Sequence, residues 1–199
     1  MIESTNEAIS MDFLEIEHKF VLPENWCLDS FVALVNSLGP KYSNEIAVED
    51  RYYVTKALPG HVYRHRIDAE IQHLTVKSLE QDSAVRLEVN LDLGLHKGDQ
   101  ARAVEAFLRP LGLLWKGILQ KQVKVFYFAD AEVVHYTATY NHQKISCVEI
   151  EAKKATDVAS ALYIIDSYTD RLSLDRSLRS DQSLFHLLLE NDIAKNSRC

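Results

Sequence analysis

The chemically most suggestive feature of the sequence is an alternation of charged residues near its start. Glu15, Glu17 and Lys19 alternate with apolar or aromatic side chains at positions 14, 16, 18 and 20. On a β-strand, residues i and i+2 point to the same face, about 6.6 Å apart. Carboxylates are ligands for Mg²⁺ or Mn²⁺, and ammonium groups bind phosphate oxygens. Such a strand could therefore present a metal and an anion site on one face.

Four later segments separate charged from apolar residues in the same way. Their charged sides contain Arg64 with Arg66, Thr75 with Lys77, Arg86 with Glu88 and Asn90, and Glu149 with Glu151. A sheet with one solvated face is the commoner cause of such alternation. Here, however, the paired positions hold almost only Glu, Lys and Arg, and few of the neutral polar residues typical of a solvated face. We therefore expect the charged faces to point into a closed barrel with room for one small ligand.

The predicted interior contains charges of both signs. Its cations are Lys19, Arg64, Arg66, Lys77, Arg86 and Lys124, and its anions are Glu15, Glu17, Glu88, Glu149 and Glu151. At an effective dielectric constant near ~20, each cation attracts a phosphate oxygen at ~4 Å by about 4 kcal/mol before desolvation. The carboxylates repel phosphate. A divalent metal between them and the phosphate therefore explains why the predicted interior contains both positive and negative charges. The alternative is that the charges cancel in interior salt bridges without any ligand.

The wider pattern predicts an α+β fold whose strands are mostly antiparallel. Strands are predicted over 13–22, 49–55, 62–68, 73–79, 84–93, 122–130, 132–140 and 145–153. Helices are predicted over 28–38, 99–112 with Asp99 as N-cap, 156–172 with Thr156 as N-cap, and 180–190. Residues 1–11 are predicted to form a flexible tail, and residues 12–199 a single domain.

Composition narrows the class of protein. The chain has 199 residues, of which 47% are hydrophobic and 26% charged, which suits one globular domain. A formal net charge of -7 argues against nucleic acid or an anionic membrane as partner. With no apolar run of signal-peptide or membrane-spanning length, the sequence predicts a cytoplasmic protein. Cys27, Cys147 and Cys199 are too scattered to suggest a disulfide framework or a zinc site.

Several motifs together resemble one known family. The segment from Glu15 to Lys19 is similar to the E-x-E-x-K signature that opens CYTH domains, the triphosphate tunnel metalloenzymes. Further resemblances follow in family order: Asp50-Arg51-Tyr52-Tyr53, Arg64-His65-Arg66, Thr75-Val76-Lys77, Arg86-Leu87-Glu88, Lys121 through Lys124, Glu149-Ile150-Glu151, and Ser183 through Leu188. The agreement in order and spacing extends over roughly residues 13–153, and the last of these segments resembles the family's closing helix.

This resemblance implies a fold, a chemistry and a set of site residues. The fold would be a closed eight-stranded antiparallel β-barrel, the triphosphate tunnel, with helices packed outside. Mg²⁺ or Mn²⁺ would be held by Glu15, Glu17, Glu149 and Glu151. The phosphates of a small-molecule triphosphate would be bound by Lys19, Arg64, Arg66, Lys77, Arg86 and Lys124. Catalytic roles would fall to Glu88, near a second metal or the attacking water, and to Lys19.

The sequence also departs from the family pattern, mostly in its later strands. Asn90 stands where a second glutamate of R-x-E-x-E is expected, and Lys124 replaces an arginine. Thr137 or Thr139 stands in place of an aspartate. Three functions therefore remain open: metal-dependent hydrolysis of inorganic triphosphate or of a small organic one such as thiamine triphosphate, a class IV-type adenylyl cyclase, and non-catalytic binding of triphosphate or polyphosphate.

Overall fold

The computed structural model describes residues 11–79, 84–190 and 192, which form nine strands and four α-helices. The strands are β1 Leu14–Val21, β2 Tyr42–Thr55, β3 His61–Ile67, β4 Gln72–Ser78, β5 Val85–Asp92, β6 Leu113–Tyr127, β7 Ala131–Tyr140, β8 Gln143–Ala152 and β9 Arg179–Ser180. The helices are α1 Leu28–Ser37, α2 Ala101–Leu108, α3 Val158–Arg171 and α4 Leu184–Leu188. The predicted tail at 1–11 lies outside the described residues except for Met11, so it stays a prediction.

The strands close into an antiparallel barrel. Their order is β5-β4-β3-β2-β6-β7-β8-β1, and the ring is completed because β1 also pairs with β5. β1 is divided between neighbours: Glu15 lies opposite Arg86 of β5, whereas Glu17 lies opposite Glu151 of β8. The short β9 adds to the free edge of β1 beside Lys19. The predicted closed eight-stranded barrel with outer helices is confirmed, with one short strand in addition.

The predicted boundaries of β2 and β6 were too short. Together these strands form a continuous ladder from the Tyr42–Tyr127 pair to the Thr55–Leu113 pair, with an irregularity at Val54. Polar residues on the exposed side of β6 hid this extent in the sequence. Gly117 is needed within the ladder because an added Cβ would lie 2.3 Å from the indole ring of Trp115.

Both predicted helix caps are wrong by one residue. Gln100 is the N-cap of α2, while Asp99 accepts a backbone hydrogen bond from Ala101. Asp157 is the N-cap of α3 and forms a capping box with Ser160. Aspartate satisfies the free amide of Ser160 directly, so the helix begins one residue later than Thr156 would have required.

The helices cover two parts of the outer barrel surface. α1 and α3 bury the outer faces of β1, β7 and β8, in a core of Phe20, Val133, Ile150, Phe31 and Ile165. α2 covers β2, β3 and β4 through Val104 and Leu108, which pack on Tyr53, Tyr63 and Leu74. The outer face of β6 is exposed in the first part of the strand, with Leu114 66% and Ile118 47% accessible.

One end of the barrel interior is filled by apolar side chains. Leu184, Phe185 and Leu188 of α4 pack there against Trp115, Leu119 and Tyr136 inside the barrel. Of these residues, Leu184, Phe185 and Tyr136 line the floor of the remaining cavity. No helix within residues 11–79, 84–190 and 192 is long and apolar enough to cross a membrane.

Candidate active site

The interior holds a cavity of about 420 Å³. Its lining contains ten of the eleven charged residues that the sequence places inside: Glu15, Glu17, Lys19, Arg64, Arg66, Lys77, Arg86, Glu88, Glu149 and Glu151. Exposure decreases with depth, since the side chain of Glu151 is 30% accessible and that of Lys19 only 4%. The cavity therefore opens near the end of β8 and is enclosed near the middle of β1.

Strand register brings these residues together. Odd-numbered positions of β1 and β8 point inward, and the pairing of Lys19 with Glu149 and of Glu17 with Glu151 stacks four charged side chains across two strands. On β4 and β5, the pairing of Lys77 with Glu88 has the same effect. Alternation within a strand makes one of its two faces polar. Closure of the barrel brings the polar faces of different strands together around one space.

Lys19 is the centre of the deepest ion-pair cluster. Its Nζ lies 3.1 Å from Oε1 of Glu17 and 3.0 Å from Oε1 of Glu149. Desolvation opposes the charge on Lys19, but these two carboxylates outweigh it and raise the pKa of Lys19 above its usual value. Arg86 also pairs with Glu17, at 3.2 Å. Lys19 therefore remains a cation at every physiological pH.

Glu149 has a second partner at the same depth. The hydroxyl of Tyr136 donates a hydrogen bond of 2.7 Å to Oε1 of Glu149. Burial alone would raise the pKa of Glu149, but Lys19 and this hydrogen bond lower it to about 2. Glu149 is thus fully ionised, with its orientation fixed by Tyr136.

A second cluster surrounds Lys77. Its Nζ lies 2.9 Å from Glu15 and 2.5 Å from Glu88, and Arg64 reaches Glu88 at 3.1 Å. Burial raises the pKa of Glu15 to about 8, assisted by the nearby charges of Glu17 and Glu88 and opposed by Lys77. Burial would also raise the pKa of Glu88, but Lys77 and Arg64 hold it well below its usual value. The two carboxyls therefore differ in protonation at neutral pH.

A third cluster lies around Asp50, which sequence analysis did not select as a site residue. Asp50 is fully buried and accepts hydrogen bonds from Arg66 at 2.9 and 3.2 Å, while Lys121 lies 2.5 Å away. Despite desolvation, Arg66 and Lys121 keep the pKa of Asp50 well below its ordinary value. Desolvation and the charge of Arg66 lower the pKa of Lys121 to about 8, against the attraction of Asp50. Asp50 fixes these two cations at the cavity wall.

Lys124 is not in the cavity, so its predicted inward position is wrong. Its Nζ lies 2.5 Å from exposed Glu45 and 5.9 Å from the ring centre of Phe126, on the outer face of β6. The inward residues of β6 are instead Lys121, Val123, Val125 and Tyr127. The outer face of this strand meets solvent, so its polar residues point outward.

Other charged and polar residues of the site were missed. Lys153 lines the cavity and lies 2.7 Å from Glu151 and 3.5 Å from Glu132. Lys121 lay within a motif segment, and the alternation of buried Trp115, Gly117 and Leu119 would have indicated its inward direction. Lys153 continues the alternation of Glu149 and Glu151 at the end of the predicted strand 145–153, so the same rule would have indicated its inward direction.

Two departures from the family pattern acquire a structural meaning. Asn90 donates a hydrogen bond to Glu88 at 3.1 Å and accepts one from Thr75 at 2.6 Å. It therefore orients the carboxylate of Glu88 but does not supply a second carboxylate. Thr137 points outward and hydrogen-bonds Ser146 at 2.8 Å. The residues of this strand that line the cavity are Glu132, Val134 and Tyr136, so Thr137 and Thr139 do not take the place of the missing aspartate.

The carboxylates suit a hard divalent cation in chemical type, although they are not gathered around one point. Among the residues described, no group of three His, Cys, Asp or Glu side chains has a metal-binding arrangement. Glu15, Glu17 and Glu151 face one cavity, and the repulsion of Glu17 and Glu151 contributes to the raised pKa of Glu15. A bound cation would relieve this repulsion. Their role as metal ligands stays a prediction.

Comparison with solved structures identifies the fold. The PH1012 protein of Pyrococcus horikoshii is 17% identical, with a TM-score of 0.70 over 87% of this chain and 99% of that one. A candidate adenylate cyclase of Bacillus halodurans is 15% identical, with a TM-score of 0.58 over 88% and 97%. The candidate adenylyl cyclase HpAC1 of Hippeastrum, reported to have a dominant triphosphatase activity, is 14% identical, with a TM-score of 0.54 over 89% and 96%.

The likeness to these structures confirms, at the level of the fold, the resemblance seen in the sequence motifs. No protein-family model matches the sequence, and no match to a curated protein is found. At these sequence identities the structural likeness shows the barrel fold but not the reaction. The activity must therefore be argued from the residues of the cavity.

Proposed function

We propose that the cavity binds a triphosphate together with Mg²⁺ or Mn²⁺ and hydrolyses it. The observation that carries this proposal is the convergence of cations on one enclosed space. Seven of them line it in the part of the chain that the structure describes: Lys19, Arg64, Arg66, Lys77, Arg86, Lys121 and Lys153. A polyphosphate is a small ligand with enough negative charge to engage such a set.

The ion pairs themselves support a ligand-binding role over a purely structural one. Every one of the seven cations pairs with a carboxylate, such as Lys19 with Glu149 and Arg66 with Asp50. Buried ion pairs rarely stabilise a fold better than apolar packing, so an interior of this kind is a poor core. A triphosphate can replace the carboxylates as hydrogen-bond acceptor for the cations. The carboxylates are then free to bind a metal.

The chain's own residues would then divide the work of phosphoryl transfer. Lys19, Arg64 and Lys77 would hold and neutralise the phosphate oxygens, which is the main requirement of this chemistry. Glu88, oriented by Arg64 and Asn90, would face the phosphate chain as the predicted catalytic carboxylate. Glu15 must lose the proton it carries at neutral pH before it can ligate a metal. A bound metal would supply charge neutralisation and an activated water.

A phosphate-release assay tests this function. Inorganic triphosphate, thiamine triphosphate and ATP are each incubated with Mg²⁺ or Mn²⁺, and Glu17→Gln and Lys19→Ala are compared with the unmodified protein. We expect metal-dependent release that both substitutions reduce by about 100-fold or more. Lys116→Ala is the control, since Lys116 is 58% exposed on the outer barrel surface. Absence of release from all three compounds would contradict hydrolysis.

The same assay separates the two alternatives when cyclic AMP is measured alongside phosphate. Cyclisation of ATP is supported by the fold of the candidate adenylate cyclase of Bacillus halodurans. Non-catalytic binding is supported by Asn90, which stands where a second cavity carboxylate was expected. Cyclic AMP formation would select the first alternative, and calorimetric binding of triphosphate without either product would select the second.

A further inference from the structure

The cavity has a second wall that is apolar. We call it the apolar wall and define it by Ile46 and Val48 of β2, Val123 and Val125 of β6, and Val134 of β7. Ile46 lies opposite Val123, and Val125 lies opposite Val134, so these side chains form a continuous patch across three strands. The charged clusters lie mainly on the other strands of the ring.

The apolar wall faces the same space as the cations. At its inner end Val48 lies opposite Lys121, and along its side Val134 lies opposite Glu149. At its outer end Tyr127 lines the cavity and stacks on Tyr42, with ring centres 4.2 Å apart. A ligand held by the cations therefore lies directly beside aliphatic and aromatic side chains.

An inorganic triphosphate makes no use of such a wall. Its oxygens need charged or hydrogen-bonding partners, and apolar side chains beside them leave part of the anion without any. The valines and Ile46 would gain from covering an apolar group, because removing apolar surface from water is favourable. The cavity volume of about 420 Å³ lies within the range of sites for small organic ligands.

We propose that the ligand is an organic phosphate ester, whose phosphate chain contacts the cations and whose apolar or aromatic group packs on the apolar wall. This inference rests on the proposed triphosphate site and adds the class of ligand. Specificity is then determined by Ile46, Val123, Val125 and Val134. These side chains pack favourably on the organic group and make no favourable contact with a bare phosphate chain.

The experiment compares methyl triphosphate with benzyl triphosphate, which carry the same charge and differ in apolar bulk. Dissociation constants are measured by calorimetry with Mg²⁺, or kcat/KM where turnover occurs, and inorganic triphosphate is included. We expect the benzyl ester to be favoured over the methyl ester by about tenfold or more, as burial of an aromatic group provides. Equal values for the two esters, or preference for inorganic triphosphate, would overturn the inference and leave the triphosphate site intact.

A matched pair of substitutions locates the effect. Val123→Thr keeps the shape of the side chain and makes the apolar wall polar, whereas Ile118→Thr changes a 47% exposed residue on the outer face of the same strand. We expect Val123→Thr to reduce the benzyl-to-methyl ratio and Ile118→Thr to leave it at the value of the unmodified protein. An unchanged ratio in this variant would contradict the role of the wall. Failure of all three triphosphates to bind would overturn the proposed function itself.

Discussion

The inner and outer faces of β1 and β8 are built from alternate residues of the same strands, yet they serve opposite purposes. On the outer face, Phe20 and Ile150 are fully buried beneath α1 and α3. On the inner face, Glu17, Lys19 and Glu149 form a network of ion pairs. The comparison teaches that here the fold is stabilised from outside the barrel, which leaves the interior available for charged ligands.

β6 shows what happens where no helix covers the outside. Its outer residues, such as Lys116 and Lys124, are polar and solvated, and its inner residues include Val123 and Val125. On this strand the outer face is thus the more polar one, whereas on β1 and β8 the inner face is. On β6 the solvated outer face carries polar residues, while Val123 and Val125 of the inner face belong to the apolar wall.

The largest effect is expected on the outer face. Phe20→Ala should lower the free energy of unfolding by about 3–5 kcal/mol, because it leaves a cavity in the packed core beneath α1 and α3. Urea unfolding measures the change. A loss below about 1 kcal/mol would show that the outer core does not stabilise the barrel as described.

On the inner face, the principal effect should be on binding. Lys77→Met should weaken triphosphate binding by about 100-fold, because it removes a charge-assisted contact in an enclosed site. Its effect on the free energy of unfolding should be smaller than that of Phe20→Ala, since Glu88 retains Arg64 as a partner. Lys116→Met is the control on the outer surface of β6. Equal affinities of the two variants would contradict the inner site.

The inner face should also make stability depend on pH. Burial raises the pKa of Glu15 from 4.5 to about 8 in the folded state. The folded state therefore binds this proton more tightly, so its contribution is complete below pH 4.5 and is lost as pH rises to about 8. Without metal, Glu15→Gln should gain about 1–3 kcal/mol relative to the unmodified protein between the two ends of this range.

Unfolding in urea at both pH values, with EDTA present, measures the gain. Subtracting the unmodified protein removes the contributions of other titrating groups. The control is Glu24→Gln, the same substitution at an exposed position outside the cavity. A difference for Glu15→Gln that is independent of pH would show that Glu15 is ionised at neutrality.

The smallest expected effect is at the start of α3. Asp157→Ala removes the capping box with Ser160 at an exposed position, so it should lower the melting temperature slightly. Triphosphate affinity should not change, because the cap lies outside the barrel. A loss of affinity matching that of Lys77→Met would mean that outer packing and inner binding are not separable.

Sequence reasoning recovered the parts of the site that alternate strictly. Glu15, Glu17 and Lys19 point inward as predicted, because a strand has only two faces and a helix covers the apolar one. The prediction failed at Lys124, where the polar face meets solvent and alternation alone cannot distinguish the inside from the outside. Asp50 could not be recognised as the partner of Lys121, because their contact depends on pairing between distant strands.

The most direct test of the central claim is a crystal structure determined with inorganic triphosphate and Mn²⁺. Phosphate density should lie between Lys19, Arg64 and Lys77, with anomalous density for manganese beside the carboxylates of β1 and β8. The contacts of Lys77 with Glu15 and Glu88 should have opened. At saturating ligand, an interior without phosphate density and with both contacts intact would contradict the account.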